Sequence, residues 1–316
     1  MWSQTAVCLR LCNHHSELII LFMRIFITGG TGFVGKYIVK ELRKGGHELL
    51  LLSRVNRRSE VGIHYLRGDI SDVSKWEKKL KIFKPQAAVH LAWEGLPSQE
   101  FDVTVKNLVG GLNCVRALGE AGCKMVVVAG SDQEYGHTGK KANENSPTKP
   151  YNMLFAGKTS LYWLAAKIAE QHKMNFIWAR MFFIYGAGQR SGALIPYMVS
   201  SLKKGEKPEI RNPYGANDFI YIEDLARAVA LLTTRKPKSG NEIYNIGSGK
   251  LTPTSKIIEN VYKNFGLSAP KFSKNPNGPA TWKGCYADIS KIKKDYGWKP
   301  RLSLEEGIKK MVTQLR

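Results

Sequence analysis

Gly29, Gly32 and Gly35 recur at a spacing of three residues, directly after the apolar run Arg24 to Thr28 and directly before a helix-like apolar pattern that begins at Phe33. Glycines so placed can cradle a pyrophosphate. The first permits a tight turn, the second removes a Cβ where backbone must approach the anion, and the third lets the helix pack on the strand. The amide groups of the helix N-terminus then face the phosphates. Strand, glycine turn and helix together predict a dinucleotide site, with Gly29, Thr31, Gly32, Phe33, Val34 and Gly35 against the cofactor.

A second chemical signal lies at the end of the next strand. A NAD site of this kind places Asp or Glu there to accept from the ribose hydroxyls. Here the chain reads Leu52-Ser53-Arg54-Val55-Asn56-Arg57-Arg58, with no acid and three guanidinium groups. Arginine holds a 2′-phosphate bidentately. Ser53 and Arg54 therefore predict NADP(H) in preference to NAD(H), and a solvated basic loop is the plainer alternative.

A parallel sheet is the element that must position these groups. Apolar strand-like runs alternate with helical patterns through the first half. Strands are expected at Arg24 to Thr28, His47 to Leu52, Tyr65 to Arg67, Ala87 to Leu91, Met125 to Ala129 and Phe176 to Arg180. Helices are expected from Phe33 to about Lys44, from a Ser71 or Asp72 cap to about Phe83, from Phe101 to Ala121 and from Leu154 to His172. Beyond Arg180 the alternation breaks. Helices are expected at Leu194 to Lys203, Asp224 to Thr233, Thr252 to Phe265 (capped by Thr252 or Thr254) and Asp288 to Tyr296, with a strand at Glu242 to Ile246.

The 316 residues are 43% hydrophobic, enough for one large domain or two intimate ones, and they carry a formal net charge of +22. The lysines are scattered, so compositional bias is the plainer reading of that charge, and a nucleic-acid partner is not expected. Five cysteines without regular spacing suggest reduced thiols and a cytoplasmic protein. No run approaches the roughly 18 apolar residues of a membrane span. Met1 to Phe22 read as an extension upstream of the fold, with Met23 as the expected natural start. Cys8, Cys12, His14 and His15 lack a second ligand pair, so no metal is expected.

Thr28-Gly29-x-x-Gly32-x-x-Gly35 resembles the fingerprint of extended short-chain dehydrogenases/reductases, the nucleotide-sugar NAD-dependent epimerase/dehydratase family, and the resemblance runs from about Met23 to Pro300. It implies a doubly wound Rossmann α/β domain over residues 23–180 and a smaller α/β substrate domain over 181–316, with segments of the latter returning to the main sheet. Gly68-Asp69-Ile70 matches the family's adenine-contacting turn, giving Asp69 and Ile70 to the cofactor. His90-Leu91-Ala92-Trp93 matches its fourth-strand motif and adds Leu91 and Ala92. Trp93 departs from the usual second alanine and would narrow the mouth near the nicotinamide, or pack there.

The family's chemistry uses a tyrosine four residues before a lysine, and a Ser or Thr after the fifth strand. Ser131-Asp132-Gln133-Glu134-Tyr135-Gly136 resembles the latter segment, so Ser131 is the expected hydroxyl. Lys158 matches the lysine that holds the nicotinamide ribose, but the position four before it is Leu154. Leucine cannot transfer a proton. Another acid can act in its place, Asp132 being the candidate with Tyr151 one turn earlier; alternatively solvent or the substrate supplies the proton, or the protein binds without turnover. Gln133 stands where the family's dehydratases keep a carboxylate base, which argues against dehydration. Phe183 and Asn217 replace the family's diphosphate-contacting asparagine and arginine, and Arg190 and Arg211 are available to restore the charge. The expected function is NADPH-dependent reduction of a 4-keto nucleotide sugar by a homodimer built on the two long helices. A catalytically silent NADP-binding protein and a nucleic-acid-binding relative are the alternatives.

Overall fold

The computed structural model describes residues 22–210, 212–272 and 284–315. Its centre is a sheet of β1 (Arg24–Thr28), β2 (Glu48–Ser53), β3 (Ile63–Arg67), β4 (Ala87–His90), β5 (Met125–Ser131), β6 (Asn175–Met181) and β7 (Asn241–Ile246). The spatial order is β7-β6-β5-β4-β1-β2-β3, and every neighbouring pair is parallel. This is a Rossmann doubly wound sheet, whose order reverses between β1 and β4, and ligands bind at that switch point. A sheet covered on both faces needs apolar side chains pointing both ways. Ile25 and Ile27 are fully buried in one core, while Phe26 is fully buried in the other.

The helices are α1 (Phe33–Lys44), α2 (Glu77–Phe83), α3 (Phe101–Glu120), α4 (Met153–Gln171), α5 (Leu194–Lys203), α6 (Ile222–Thr234), α7 (Thr254–Asn264), α8 (Ser290–Tyr296) and α9 (Leu304–Leu315). In α1, Gly35, Ile38, Val39 and Leu42 form one buried stripe at helical spacing. The helix stops at Gly45, and Gly46 follows with a positive φ of 75°. Helices α3 and α4 lie side by side. Their approach depends on Gly157, where a Cβ would sit 2.3 Å from Thr104 Cγ2.

Two expected caps do not form. The stretch before Phe83 splits into a 3₁₀ turn (Val73–Lys75) and α2, and neither Ser71 nor Asp72 caps α2. Fully buried Trp76 causes the break: it stacks on Phe26 with centroids 5.6 Å apart and donates Nε1 to Asp69 O at 2.8 Å. Tertiary packing has overridden a local cap. Thr252 is not helical either. Thr252–Pro253 pairs antiparallel with Ala216–Asn217, and α7 begins at Thr254 without a side-chain cap. Helix α9 adds to the expected elements, and Ser303 and Glu306 form a reciprocal cap at its start. The expected upstream extension and its Cys/His cluster lie outside the described residues, apart from Phe22, as does Arg211.

One buried ion pair joins the strands that carry the candidate chemistry. Arg180 on β6 is 3% exposed and Glu134, after β5, is fully buried, with Nε to Oε2 at 2.9 Å. Arg180 Nη1 also donates to Tyr135 Oη at 2.8 Å, and Tyr135 donates to Asn245 Oδ1 on β7 at 2.8 Å. Removing one partner strands the other charge in the interior. Arg180→Met is therefore expected to cost about 3–5 kcal/mol in urea unfolding; a loss below about 1 kcal/mol would show that water reaches Glu134.

Candidate functional site

A crevice of about 410 Å³ opens at the switch point. Gly29, Thr31, Gly32, Phe33, Val34, Gly35, Ser53, Arg54, Asp69, Ile70, Leu91, Ala92 and Trp93 all line it. The glycines have distinct tasks. Gly29 has φ +71°, and a Cβ on it would lie 2.9 Å from Ala92 N. A Cβ on Gly35 would lie 2.1 Å from Gly29 O, so nothing larger fits where α1 meets the turn. Gly32 begins α1 with no side-chain cap and no acid in the first turn. The first-turn amides are thus left to an anion, and their dipole favours one. A dinucleotide fits this cradle.

At the far end of the crevice, Asp69 accepts from both the amide and hydroxyl of Ser71, at 2.9 and 2.8 Å. Gly68 is required there, because a Cβ would meet Trp76 Cδ1 at 2.5 Å. Arg54 is exposed and pairs through Nη1 with Glu94 Oε1 at 2.8 Å. Lys106 holds the other Glu94 oxygen at 2.8 Å. Glu94 itself lines the crevice. It had no signal in the sequence, because its partners lie 40 and 12 residues away.

The residues expected to handle protons lie beyond the crevice lining, behind Trp93. Ser131 closes β5, and Asp132 to Tyr135 form a 3₁₀ turn capped by a reciprocal box between Ser131 and Glu134. Asp132 is buried, and that desolvation pushes its carboxyl up to about 8, Asp218 and Glu134 adding to the rise against the opposing Gln133 and Ser131 hydrogen bonds. Gln133 bridges two candidate donors: its Nε2 donates to Asp132 Oδ2 at 2.5 Å, and its Oε1 accepts from Tyr151 Oη at 2.9 Å. Ser131 Oγ lies 3.4 Å from the other Asp132 oxygen, Oδ1.

Lys158 is buried on α4, and burial lowers its ammonium to about 8, against the pull of Glu134. It donates to Ala129 O, two residues before Ser131, at 3.0 Å, and sits 4.8 Å from the Trp93 ring centroid. Trp93 therefore connects the crevice to Lys158 through its ring face. Leu154, one turn before Lys158, is 3% exposed and offers no proton. His90 Nδ1 meets Thr28 Oγ1 at 2.7 Å, and burial lowers its imidazole to about 4, so it is neutral beside Lys158.

Phe183, Arg190 and Asn217 line a second cavity of about 660 Å³. Asn217 is buried and its Oδ1 has no hydrogen-bond partner among the described residues. Asp218 beside it is consumed by the fold, accepting from Ser248 N and Oγ, Gly249 N and Ala287 N. Among the described residues, no group of three His, Cys, Asp or Glu side chains could hold a metal. Among the same residues, no helix is long and apolar enough to cross a membrane.

Known proteins carry the same fold and sequence signature. The chain is 28% identical to a UDP-glucuronate 4-epimerase of Thermodesulfobacterium geofontis, over 90% of this chain and 94% of that one. It is 25% identical to a dTDP-6-deoxy-L-talose 4-dehydrogenase (NAD(+)) of Aggregatibacter actinomycetemcomitans, over 80% and 95% of the two chains. The structure of a Thermus thermophilus UDP-glucose 4-epimerase complexed with NAD superposes with a TM-score of 0.77 at 25% identity, over 93% of this chain and 99% of the other. The model of the NAD dependent epimerase/dehydratase family matches residues 25–247. The cofactor is thus a nicotinamide dinucleotide, and the protein is an oxidoreductase/epimerase-type enzyme that belongs to the NAD-dependent epimerase/dehydratase family.

Proposed function

We propose that the protein is an NADPH-dependent reductase of a 4-keto nucleotide sugar. The observation that carries this reading is the buried Asp132 carboxyl beside the Ser131 hydroxyl, in a site where Leu154 stands in place of the expected tyrosine. Asp132 Oδ2 already accepts from Gln133, so below about pH 8 its proton belongs on Oδ1, which faces Ser131 Oγ. Ser131 Oγ accepts from Gln133 N at 3.2 Å and donates to Asp132 Oδ1 at 3.4 Å; once Oδ1 carries the proton that contact reverses, and the Ser131 hydrogen is released to a ketone oxygen. Asp132 then replaces that hydrogen. The cradle of Gly29, Gly32 and Gly35 would hold the dinucleotide, which when bound would supply the hydride. Lys158 holds positive charge beside the developing alkoxide and the cofactor ribose. Gln133, a neutral amide, cannot abstract a carbon-bound proton, which weighs against 4,6-dehydration.

Relatives that act on UDP- and dTDP-linked sugars support the substrate class. The second cavity supplies room for the nucleotide, with Phe183, Arg190 and Asn217 on its wall. Arg54 in the crevice supports the preference for NADPH. Exposed Phe101 and Val109 on α3, with Trp163 and Leu164 on α4, support a homodimer that pairs these two helices, and reduced cysteines support a cytoplasmic location. A monomer mass in sedimentation, or tighter binding of NADH than NADPH, would remove the corresponding part of this reading. Leu154 itself favours a second reading, a silent dinucleotide-binding protein. Loss of NADPH absorbance with any member of a panel of UDP- and dTDP-linked 4-keto sugars excludes it.

Both Asp132 and Lys158 set a pH limit with the same sign. Asp132 donates only while protonated, below about 8, and Lys158 loses its charge above about 8. Reduction is expected to fall as pH rises through that value. Asp132→Asn is expected to lower kcat by about 10²–10⁴-fold. A rate that climbs through pH 8, or an unaffected Asp132→Asn variant, would remove Asp132 from the reaction. In a second prediction, Leu154→Tyr restores a phenol four residues before Lys158. It should raise kcat by about tenfold or more and make the rate less sensitive to Asp132→Asn. No change on either measure would mean that residue 154 does not face the reacting carbon.

A further inference from the structure

The adenosine end of the crevice contains a carboxylate with an unusual anchor. Glu94 follows β4, and buried Asn107 on α3 clamps its backbone from both sides. Glu94 N donates to Asn107 Oδ1 at 2.6 Å, and Asn107 Nδ2 donates to Glu94 O at 3.0 Å and to Val103 O at 2.7 Å. The side chain is thereby held at the crevice wall with Ser53, Arg54 and Asp69. Its two oxygens take Arg54 and Lys106, each at 2.8 Å. The Lys106 hydrogen bond and charge, with Arg54 behind them, hold its carboxyl below the usual range, so it is ionised at neutral pH.

A ribose 2′-phosphate and the Glu94 carboxylate want the same guanidinium. They also repel one another across that short distance. A ribose 2′-hydroxyl behaves in the opposite way, because it can donate to a carboxylate. In many dinucleotide sites an acid at the end of the second strand performs that task, and in this chain the position holds Arg54 instead. We propose that Glu94 is a specificity-determining residue of the dinucleotide site: it competes with the 2′-phosphate for Arg54, and it accepts from the ribose when no phosphate is present.

The proposal rests on the dinucleotide reading of the crevice and adds a residue from a different strand to it. Arg54 and Glu94 are 65% and 41% exposed in their side chains, so their mutual pairing contributes little to stability. The exchange of Arg54 from Glu94 to a phosphate is therefore cheap. Arg54 makes NADPH binding possible, and Glu94 keeps it from excluding NADH.

Dissociation constants for NADPH and NADH, measured by titration calorimetry on the full chain at low salt, test this without any substrate. Glu94→Gln and Glu94→Ala should each tighten NADPH relative to NADH by about tenfold, with NADH unchanged or weaker, and added salt should shrink the difference. Asn107 anchors residue 94 through its backbone, so thermal unfolding of both variants should match the parent. If both dinucleotides bind but their affinity ratio is the same in the parent and in both variants, Glu94 has no such role. If the parent binds neither dinucleotide, the reading of the crevice falls, and this inference falls with it.

Discussion

A carboxylate with no access to water organises the reactive end of this enzyme. Glu134 is fully buried, and a buried charge is tolerated only when it is paired and hydrogen-bonded. It receives Ser131 N at 2.7 Å, Trp178 Nε1 at 3.0 Å to each oxygen, and Arg180 Nε at 2.9 Å. Gly130 makes this possible, since a Cβ there would lie 2.4 Å from Trp178 Nε1 and 2.8 Å from Glu134 Oε1. The result is geometric more than energetic. The end of β5 is tied to β6 at a fixed height, so the Ser131 hydroxyl and the Asp132 carboxyl emerge at one place. Tyr135 then extends the same network to β7 through Asn245.

The loss of the tyrosine changes what its neighbours must do. Lys158 would ordinarily lower a phenol's pKa, and here it has no phenol one turn before it. Its ammonium rests on Ala129 O and the Trp93 face, two contacts that favour the charged form without burying a second charge. Asp132 moves the other way, because burial favours its neutral form. The two groups thus reach similar values from opposite directions, one an acid raised and the other a base lowered. A pair so matched can hold one proton and one positive charge near neutral pH, as the proposed ketone reduction requires.

The strand, glycine turn and first helix were legible because each is a local pattern, and the residues it assigned to the cofactor lie together in one crevice. The split before α2 was not legible, since Trp76 breaks the helix by packing on Phe26, fifty residues earlier. Thr252 reads locally as a helix cap and is instead held by Ala216–Asn217. Helix α9 is a different case: Ser303 and Glu306 carry the capping pattern openly in the sequence, so its start is legible from local residues alone. Gln133 was read by its lack of charge, which bears on reaction type. Its position between Asp132 and Tyr151 could be found only in three dimensions, because Tyr151 comes from the far side of a loop.

The crevice wall and the buried cluster behind Trp93 differ in the medium that surrounds their charges, and that difference sets what each can change. Around Arg54 and Glu94 water screens every interaction, so one substitution alters preference by modest factors and leaves the fold alone. Around Asp132, Lys158, Glu134 and Arg180 water is excluded, so each charge depends on a specific partner and its loss is felt by the whole turn. Leu154 fits this asymmetry. An apolar residue at buried position 154 strands no polar group, whereas a neutral residue at 134 would leave Arg180 without its counter-charge in the interior. A chain of this design can carry leucine at 154 and keep its cradle, its lysine and its serine in register, and on the proposed reading the proton then comes from the nearest buried carboxyl, Asp132.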